Sequence, residues 1–192
     1  MWREVLAPLA PFLNDRAVIL SVMAGVTAPT LAEGLGGWPI VRVMPTTGVS
    51  RGRGVASVWS ADARAEHVGR ALFEPMAETV ELADEALMDA VTAVSGSGPA
   101  YVFLLAEELA RAGIAAGLPE ALATRLARDT VSGAGELLHR SELSSATLRQ
   151  NVTSPGGTTA AALSVLMGPD GFQPLLERAV AAATARSKEL AT

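Results

Sequence analysis

Residues 151–159 read Asn-Val-Thr-Ser-Pro-Gly-Gly-Thr-Thr, a turn that leads into an apolar helical stretch ending near Met167. Pro155 ends the element before the turn, and the glycine pair lets the backbone bend with its N–H groups exposed. Thr158 and Thr159 then open the next helix. Because the first N–H groups of a helix lack partners within it, and hydroxyl groups lie beside them here, the stretch predicts a site for a small anion such as a carboxylate.

A second glycine-rich turn, Ser-Gly-Ser-Gly-Pro-Ala-Tyr at 95–101, precedes an apolar run from Pro99 to Ala116 that Gly117 ends. Proline at the start and glycine just past the end are typical of a helix. The two glycines of the turn have two explanations, and the sequence leaves both open. They allow two helix backbones to approach closely, or they allow contact with a ligand.

The composition narrows the class of protein. A chain of 192 residues that is 49% apolar can build the core of one or two domains. It has no cysteine, so disulfide frameworks and thiolate metal sites are excluded, which fits a cytoplasmic protein. His67 and His139 are far apart in sequence, and we expect each on a solvated helix face and neither in a metal site. The net charge of −5 argues against nucleic acid, and no run of about 18 apolar residues predicts a membrane span.

Residues 1–83 have the pattern of an α/β domain. The unbroken apolar run Ala17–Met23 predicts a buried parallel strand. The predicted elements are, in chain order, strands at 17–23, 40–44, 55–59 and 79–82, and a helix at 62–73 before the last strand. Ser60 is the expected N-cap of that helix.

Residues 84–192 are predicted to be entirely helical, so we expect a domain boundary between residues 83 and 84. A helix at 119–139 follows the one that begins at Pro99. The last helix carries apolar residues with helical spacing on one face, namely Phe172, Leu175, Leu176, Ala179, Val180 and Ala183.

The α/β part lacks a feature that nucleotide-binding domains need. A buried parallel strand requires neighbours on both sides, and few strands are predicted here. The Gly-x-Gly pairs at 52–54, 96–98 and 133–135, like the one at 34–36, lack the third glycine of a Gly-x-Gly-x-x-Gly turn between a strand and a helix. The chain therefore has the pattern of the second half of a nucleotide-binding domain followed by a complete helical domain.

Together with Met-Asp-Ala-Val-Thr at 88–92, the two turns resemble those of the pyrroline-5-carboxylate reductase family, and the resemblance extends from Ala17 to Leu190. It implies a Rossmann-like NAD(P)-binding domain at 1–83 and an all-helical dimerisation and substrate-binding domain at 84–192. It also implies an oxidoreductase of proline biosynthesis that uses NADPH or NADH to reduce 1-pyrroline-5-carboxylate to L-proline. Since the family's glycine-rich turn would precede Ala17, the resemblance implies an N-terminally truncated chain whose cofactor site is incomplete.

The resemblance also implies roles for individual residues. The substrate carboxylate would bind the N–H groups of Gly156, Gly157 and Thr158 and the hydroxyl group of Ser154. Thr159 would act as the catalytic residue, with its hydroxyl group near the ring nitrogen. An acidic residue of the family that lies near the substrate matches Glu85, although a carboxylate at the start of a helix is favourable without any ligand.

The cofactor-binding residues implied by the resemblance lie at the ends of the first two predicted strands, and one more lies at the start of the turn at 151–159. They are Val22, Met23, Ala24, Gly25, Met44, Pro45, Thr46 and Asn151. The family usually has Met-Pro-Asn-Thr-Pro where this chain has Met-Pro-Thr-Thr-Gly at 44–48. Thr46 therefore replaces an amide, and Gly48 adds flexibility. We expect Arg51 and Arg53 nearby to lie in a solvated loop.

The resemblance implies a homodimer or a higher oligomer, a small-molecule imine substrate and no nucleic-acid or membrane partner. Two other functions are compatible with the sequence. One is a non-catalytic dimeric remnant of the fold that cannot hold a dinucleotide, which the missing glycine-rich turn favours. The other is a related reductase for another imine or for a 2-keto acid derivative, which the changed loop at 44–48 permits.

Overall fold

The computed structural model describes Glu4, residues 7–35 and residues 37–190. The chain divides into two compact units, each described below by itself. One unit contains the described residues up to Pro99 together with those from Val180 onward, and the other contains Ala100–Ala179. The boundary that we predict between residues 83 and 84 stays a prediction.

The first unit is built on a four-stranded mixed sheet in the order β1-β2-β3-β4. Its strands are β1 Ile19–Ser21, β2 Ile40–Pro45, β3 Gly54–Trp59 and β4 Ala77–Glu81. β1 pairs with β2 in parallel, β2 with β3 antiparallel, and β3 with β4 in parallel. All four predicted strands are present, but β1 is shorter than the apolar run that predicts it, and only Ser21 of β1 is buried, so the prediction of a buried strand is wrong.

The first unit also contains helices. They are α1 Ala28–Leu35, α2 Ala63–Phe73 and α3 Met88–Val91, followed by a π-helical turn Thr92–Gly96. Short 3₁₀ segments occur at Ala7–Phe12, Thr47–Arg51 and Glu85–Leu87.

The second unit and the residues that adjoin it are helical, as predicted. The helices are α4 Gly98–Ala115, α5 Glu120–Arg140, α6 Ser145–Asn151, α7 Thr158–Leu166 and α8 Phe172–Glu189. Gly117, which we expect to end α4, has a left-handed backbone with φ 101°. The predicted class, α/β followed by all-α, is confirmed.

Two helix starts in the first unit differ from the prediction. Asp62 is the N-cap of α2, because its Oδ1 accepts from the N–H of Ala65 at 2.8 Å. The prediction of Ser60 as cap is wrong, since its hydroxyl group donates to the carbonyl oxygen of Ile40 at 2.6 Å. α1 is absent from the prediction, although Thr27 followed by a proline in the first turn is a signal for a helix start.

β2 has buried residues on both faces and divides the core of this unit into two clusters. Alternate side chains of a strand point to opposite faces. Val41 and Val43 pack with residues of β3 and with Ala65 of α2. Ile40 packs on the other side with Leu31 and Leu35 of α1. Arg42 therefore belongs to the face that α1 covers.

Gly69 of α2 lies directly against the sheet. A Cβ atom at this position would be 2.6 Å from Cγ2 of Val41, a fully buried β-branched residue. We expect Gly69→Ala to lower the free energy of unfolding by about 1–3 kcal/mol, measured by urea denaturation. Gly133→Ala in α5 is the matched control, because its Cβ would meet nothing within 4 Å. It is expected to be neutral or stabilising by up to about 1 kcal/mol, and equal losses in both variants would contradict the packing argument.

Candidate active site

The turn between α6 and α7 depends on two glycines with different constraints. Gly156 has φ 68°, in the left-handed region that favours glycine. Gly157 is extended, but a Cβ atom there would lie 2.5 Å from Oγ of Ser154. The N–H of Gly157 donates to the carbonyl oxygen of Ser154 at 3.1 Å and closes the turn. Glycine at 156 is therefore favoured by the backbone conformation, and glycine at 157 by the close approach of the Ser154 side chain.

α7 begins at Thr158, as predicted, and its first N–H groups are open. Gly157 occupies the N-cap position and makes no side-chain capping bond. The first N–H of α7 that bonds to a backbone carbonyl belongs to Ala161, which donates to Gly157 at 3.1 Å. No hydrogen bond of the described structure uses the N–H groups of Thr158, Thr159 or Ala160. Of the three N–H groups expected to bind the carboxylate, that of Gly157 is used inside the turn, whereas no hydrogen bond in the described structure uses those of Gly156 and Thr158.

The residues before the turn anchor it to α6. Thr153 donates its hydroxyl group to the carbonyl oxygen of Arg149 at 2.6 Å and its N–H to that of Gln150 at 3.0 Å. Asn151 is the last residue of α6 and is exposed. Ser154 and Thr158 are exposed and Thr159 is half-buried, so the hydroxyl groups that we predict to contact a substrate are accessible.

The other predicted residues belong to the first unit, beginning with the turn that follows β1. Val22 is exposed, Met23 and Ala24 are half-buried, and Gly25 is buried with φ 76°. The N–H of Met23 donates to the hydroxyl group of Ser21 at 3.3 Å. This turn lies at the carboxyl end of a parallel strand, where ligands of open α/β sheets bind.

Glu85 contacts this same region through its carboxylate. Its Oε1 accepts from the N–H of Ala28, the first residue of α1, at 2.7 Å, and from Nη1 of Arg42 at 2.9 Å. The start of its own 3₁₀ segment is capped by Asp84 instead, which accepts from the N–H of Ala86 at 2.9 Å. Glu85 therefore caps a helix that lies far away in sequence.

Arg42 is the residue of this region that sequence reasoning missed. Its Nη2 donates to the carbonyl oxygen of Met23 at 3.5 Å, so it links Met23 to Glu85. The available signal was an arginine inside the apolar strand Ile40–Met44. A charge in a buried strand needs a partner, because an unpaired buried charge is strongly unfavourable.

The loop that departs from the family pattern is held by Thr46. Its Oγ1 accepts from the N–H of Val55 at 3.1 Å, and its N–H donates to the carbonyl oxygen of Val55 at 2.9 Å. Pro45 ends β2 and is half-buried. Arg51 and Arg53 have exposed side chains, as expected for a solvated loop.

The glycines at 96 and 98 have different surroundings. A Cβ atom at Gly96 would lie 3.1 Å from Sδ of Met44, which is buried at the end of β2. Close approach therefore explains Gly96, and the neighbour is a strand residue and not a second helix. A Cβ atom at Gly98 would meet nothing within 4 Å, so close packing does not explain that glycine.

Among the residues that the structure describes, no group of three His, Asp or Glu residues is placed to hold a metal ion. His67 and His139 have exposed side chains on α2 and α5, as predicted. No helix within the described ranges is long and apolar enough to span a membrane.

Comparison with known proteins agrees with the resemblance noted in the two turns. The family model for pyrroline-5-carboxylate reductase dimerisation matches residues 85–190. The pyrroline-5-carboxylate reductases of Synechocystis sp. and Pseudomonas aeruginosa are 43% and 41% identical over 97% and 98% of this chain, which covers 70% of each. The solved structure of the enzyme from Coxiella burnetii matches with a TM-score of 0.89 and 33% sequence identity. The match covers 99% of this chain and 72% of the Coxiella chain. The structure of the Plasmodium falciparum pyrroline carboxylate reductase with NADP bound matches with a TM-score of 0.84 and 31% sequence identity. The match covers 100% of this chain and 77% of the Plasmodium chain. The chain belongs to the pyrroline-5-carboxylate reductase family.

Proposed function

We propose that this chain acts in the cytoplasm as an NAD(P)H-dependent pyrroline-5-carboxylate reductase, which reduces 1-pyrroline-5-carboxylate to L-proline in the last step of proline biosynthesis. Its relatives carry that name, and one solved neighbour has NADP bound. The observation that carries the proposal is the start of α7, where open N–H groups follow a turn that two glycines keep free of side chains.

The substrate carboxylate is proposed to bind at this turn. The donors are the N–H group of Gly156, those of the first three residues of α7 at 158–160, and the hydroxyl group of Ser154, and the helix dipole adds to their effect. Each charge-assisted hydrogen bond contributes roughly 1.5–3 kcal/mol. Binding the carboxylate in this way orients the five-membered ring relative to α7.

When bound, the dinucleotide supplies a hydride for the imine carbon. The product differs from the substrate by that hydride and one proton, so a proton must also reach the ring nitrogen. Thr159 is proposed to donate a hydrogen bond to this nitrogen, and water supplies the proton, because no acidic side chain lies among the residues assigned to the turn. Orientation of the ring then contributes most of the rate that the chain itself provides.

The residues present fit one half of the dinucleotide. Val22 is exposed at the carboxyl end of β1, where the nicotinamide side is proposed to lie with Met23, Ala24 and Gly25. The pyrophosphate does not fit the N-terminus of α1, because the carboxylate of Glu85 already accepts from its first N–H. The sequence also has no Gly-x-Gly-x-x-Gly turn. We assign only the nicotinamide half to these residues, with Met44, Pro45, Thr46 and Asn151 as further proposed contacts.

This partial fit predicts how the 192-residue chain responds to half of the cofactor. Reduced nicotinamide mononucleotide should bind within about threefold of the affinity of NADPH, because the adenosine half adds few contacts. Both should bind weakly. Saturation-transfer NMR should show stronger transfer to the nicotinamide protons of NADPH than to its adenine protons. Micromolar NADPH binding with equal transfer to both halves would contradict the assignment.

The proposed substrate turn can be tested without a cofactor by using the product. L-proline should shift the backbone amide resonances of Thr158, Thr159 and Ala160, whereas pyrrolidine, which lacks the carboxylate, should not. NADPH oxidation should then be faster with pyrroline-5-carboxylate than with other cyclic imines or 2-keto acids. Amides that do not respond, together with no oxidation, would indicate the non-catalytic remnant. A faster rate with another imine would indicate the related reductase.

We also propose that the boundary between the nucleotide-binding and dimerisation domains lies between residues 83 and 84. The family match, which begins at residue 85, supports it. Two copies of the helical domain are proposed to form a homodimer. Neither nucleic acid nor membrane is a proposed partner.

A further inference from the structure

Arg42 is a charged residue in a place that normally excludes charge. It lies on β2 and is 3% exposed, and its Nε has no hydrogen-bond partner among the described residues. A buried guanidinium with an unsatisfied N–H is unfavourable unless a carboxylate lies beside it. Glu85 is that carboxylate, with Oε1 at 2.9 Å from Nη1 and a side chain that is 16% exposed. The buried arginine therefore depends on a half-buried carboxylate for its charge balance.

Both members of the pair also contact the backbone at opposite ends of one turn. Residues 22–27 join β1 to α1. Arg42 donates to the carbonyl oxygen of Met23 near the start of this turn, and Glu85 accepts from the N–H of Ala28 directly after its end. Thr27 adds a local cap, because its hydroxyl group accepts from the N–H of Thr30 at 3.3 Å. The local cap holds α1, whereas the ion pair holds α1 and β1 to each other.

We infer that Arg42 and Glu85 form a positioning pair that sets the conformation of the turn at 22–27 and, through it, the binding of the nicotinamide half of the cofactor. The part that concerns the cofactor rests on the proposed function. Neither side chain needs to contact a ligand for this role. The turn bends at Gly25, which has a left-handed backbone conformation, and the pair determines the position of this bend.

The role of the pair in the turn is measurable by hydrogen–deuterium exchange of the free chain. Arg42→Lys keeps the charge but removes the second donor to Met23, and Glu85→Ala removes the acceptor for the N–H of Ala28. We expect each to increase exchange in peptides covering residues 22–30 by about tenfold. Peptides from β3 and β4 should be unchanged. Glu74→Gln is the control, since it breaks an exposed ion pair with Arg70 on α2 and should leave residues 22–30 unaltered.

Binding of reduced nicotinamide mononucleotide tests the consequence for the ligand. Glu85→Gln keeps the shape and an acceptor oxygen, so the fold is retained while the charge is lost. Arg42→Lys and Glu85→Gln should each weaken binding by about tenfold, and the double variant should be no weaker than either single variant. L-proline binding to the turn at 154–159 should stay within twofold.

The outcomes separate this inference from the proposed function. Exchange at residues 22–30 that is unchanged in both variants would overturn the positioning pair, whatever the activity of the chain. Faster exchange with unchanged mononucleotide binding would overturn its effect on the cofactor. A larger loss of L-proline binding than of mononucleotide binding in Glu85→Gln would show that Glu85 contacts the substrate, as the resemblance implies, and would overturn the inference. A wild-type chain without reductase activity that still gives the expected exchange would refute the proposed function alone.

Discussion

Thr159→Val is expected to lower kcat/KM for pyrroline-5-carboxylate by about 5–150-fold, which corresponds to roughly 1–3 kcal/mol. Valine keeps the shape of threonine and removes the hydroxyl group that we propose lies near the ring nitrogen. Thr159 is half-buried in the first turn of α7 and makes no side-chain capping bond there. The variant should therefore keep its melting temperature. Steady-state kinetics and thermal unfolding of the same preparation measure the two quantities, with NADPH varied because its binding is expected to be weak.

Ser154→Ala is the matched comparison from the same turn. Its hydroxyl group is proposed to bind the carboxylate, which is present in both the ground state and the transition state. Loss of that group should raise KM and leave kcat nearly unchanged. Unchanged kinetics with a lowered melting temperature in both variants would show that the turn only starts a helix. The proposed substrate site would then be wrong.

Phe103→Asp is expected to convert a dimer of this chain into a monomer. The helices of the second unit expose many large apolar side chains, among them Phe103 at 68%, Leu137 at 61% and Val165 at 74%. A groove of about 630 Å³ also lies between α4 and α5, lined by apolar residues such as Val102, Phe103 and Ile114 together with charged ones, namely Glu107, Arg111, Glu120 and Arg128. Apolar surface of this extent in one unit requires a partner, and the match to a dimerisation family supports a second copy.

A charge within such an interface should weaken association by about 2–4 kcal/mol, or roughly 30-fold or more in the dimer dissociation constant. Light scattering at tens of micromolar measures the mass directly. Leu72→Asp is the control, because Leu72 is 56% exposed on α2 in the first unit and lies outside the dimerisation match. A wild-type monomer, or equal dissociation by both variants, would contradict the proposed interface.

The sequence by itself determined the features whose causes are local. Strand runs, the glycine that ends α4 and the start of α7 at Thr158 follow from side-chain periodicity and from the backbone limits of proline and glycine. These signals act over a few residues, so they can be recognised without a fold. The predicted class and the helix start at Thr158 were right for this reason. Asp62 took the capping role expected of Ser60 because the hydroxyl group of Ser60 bonds to β2, a contact twenty residues away.

Only the tertiary structure decided the arrangement around the turn after β1. Arg42, Glu85 and Ala28 are brought together by contacts that span 43 and 57 residues. Glu85 sits near the start of a segment, where sequence reasoning expects a carboxylate to act on its own helix. It instead caps α1, a helix that the sequence did not predict, and it balances a buried arginine. The periodicity of the sequence does not show which two distant charged residues form an ion pair, because the pairing depends on how the strands and helices pack. The turn that is proposed to bind the substrate could thus be recognised in the sequence, whereas the contacts of Arg42 and Glu85 beside the proposed nicotinamide turn appeared only once the sheet and α1 were in place.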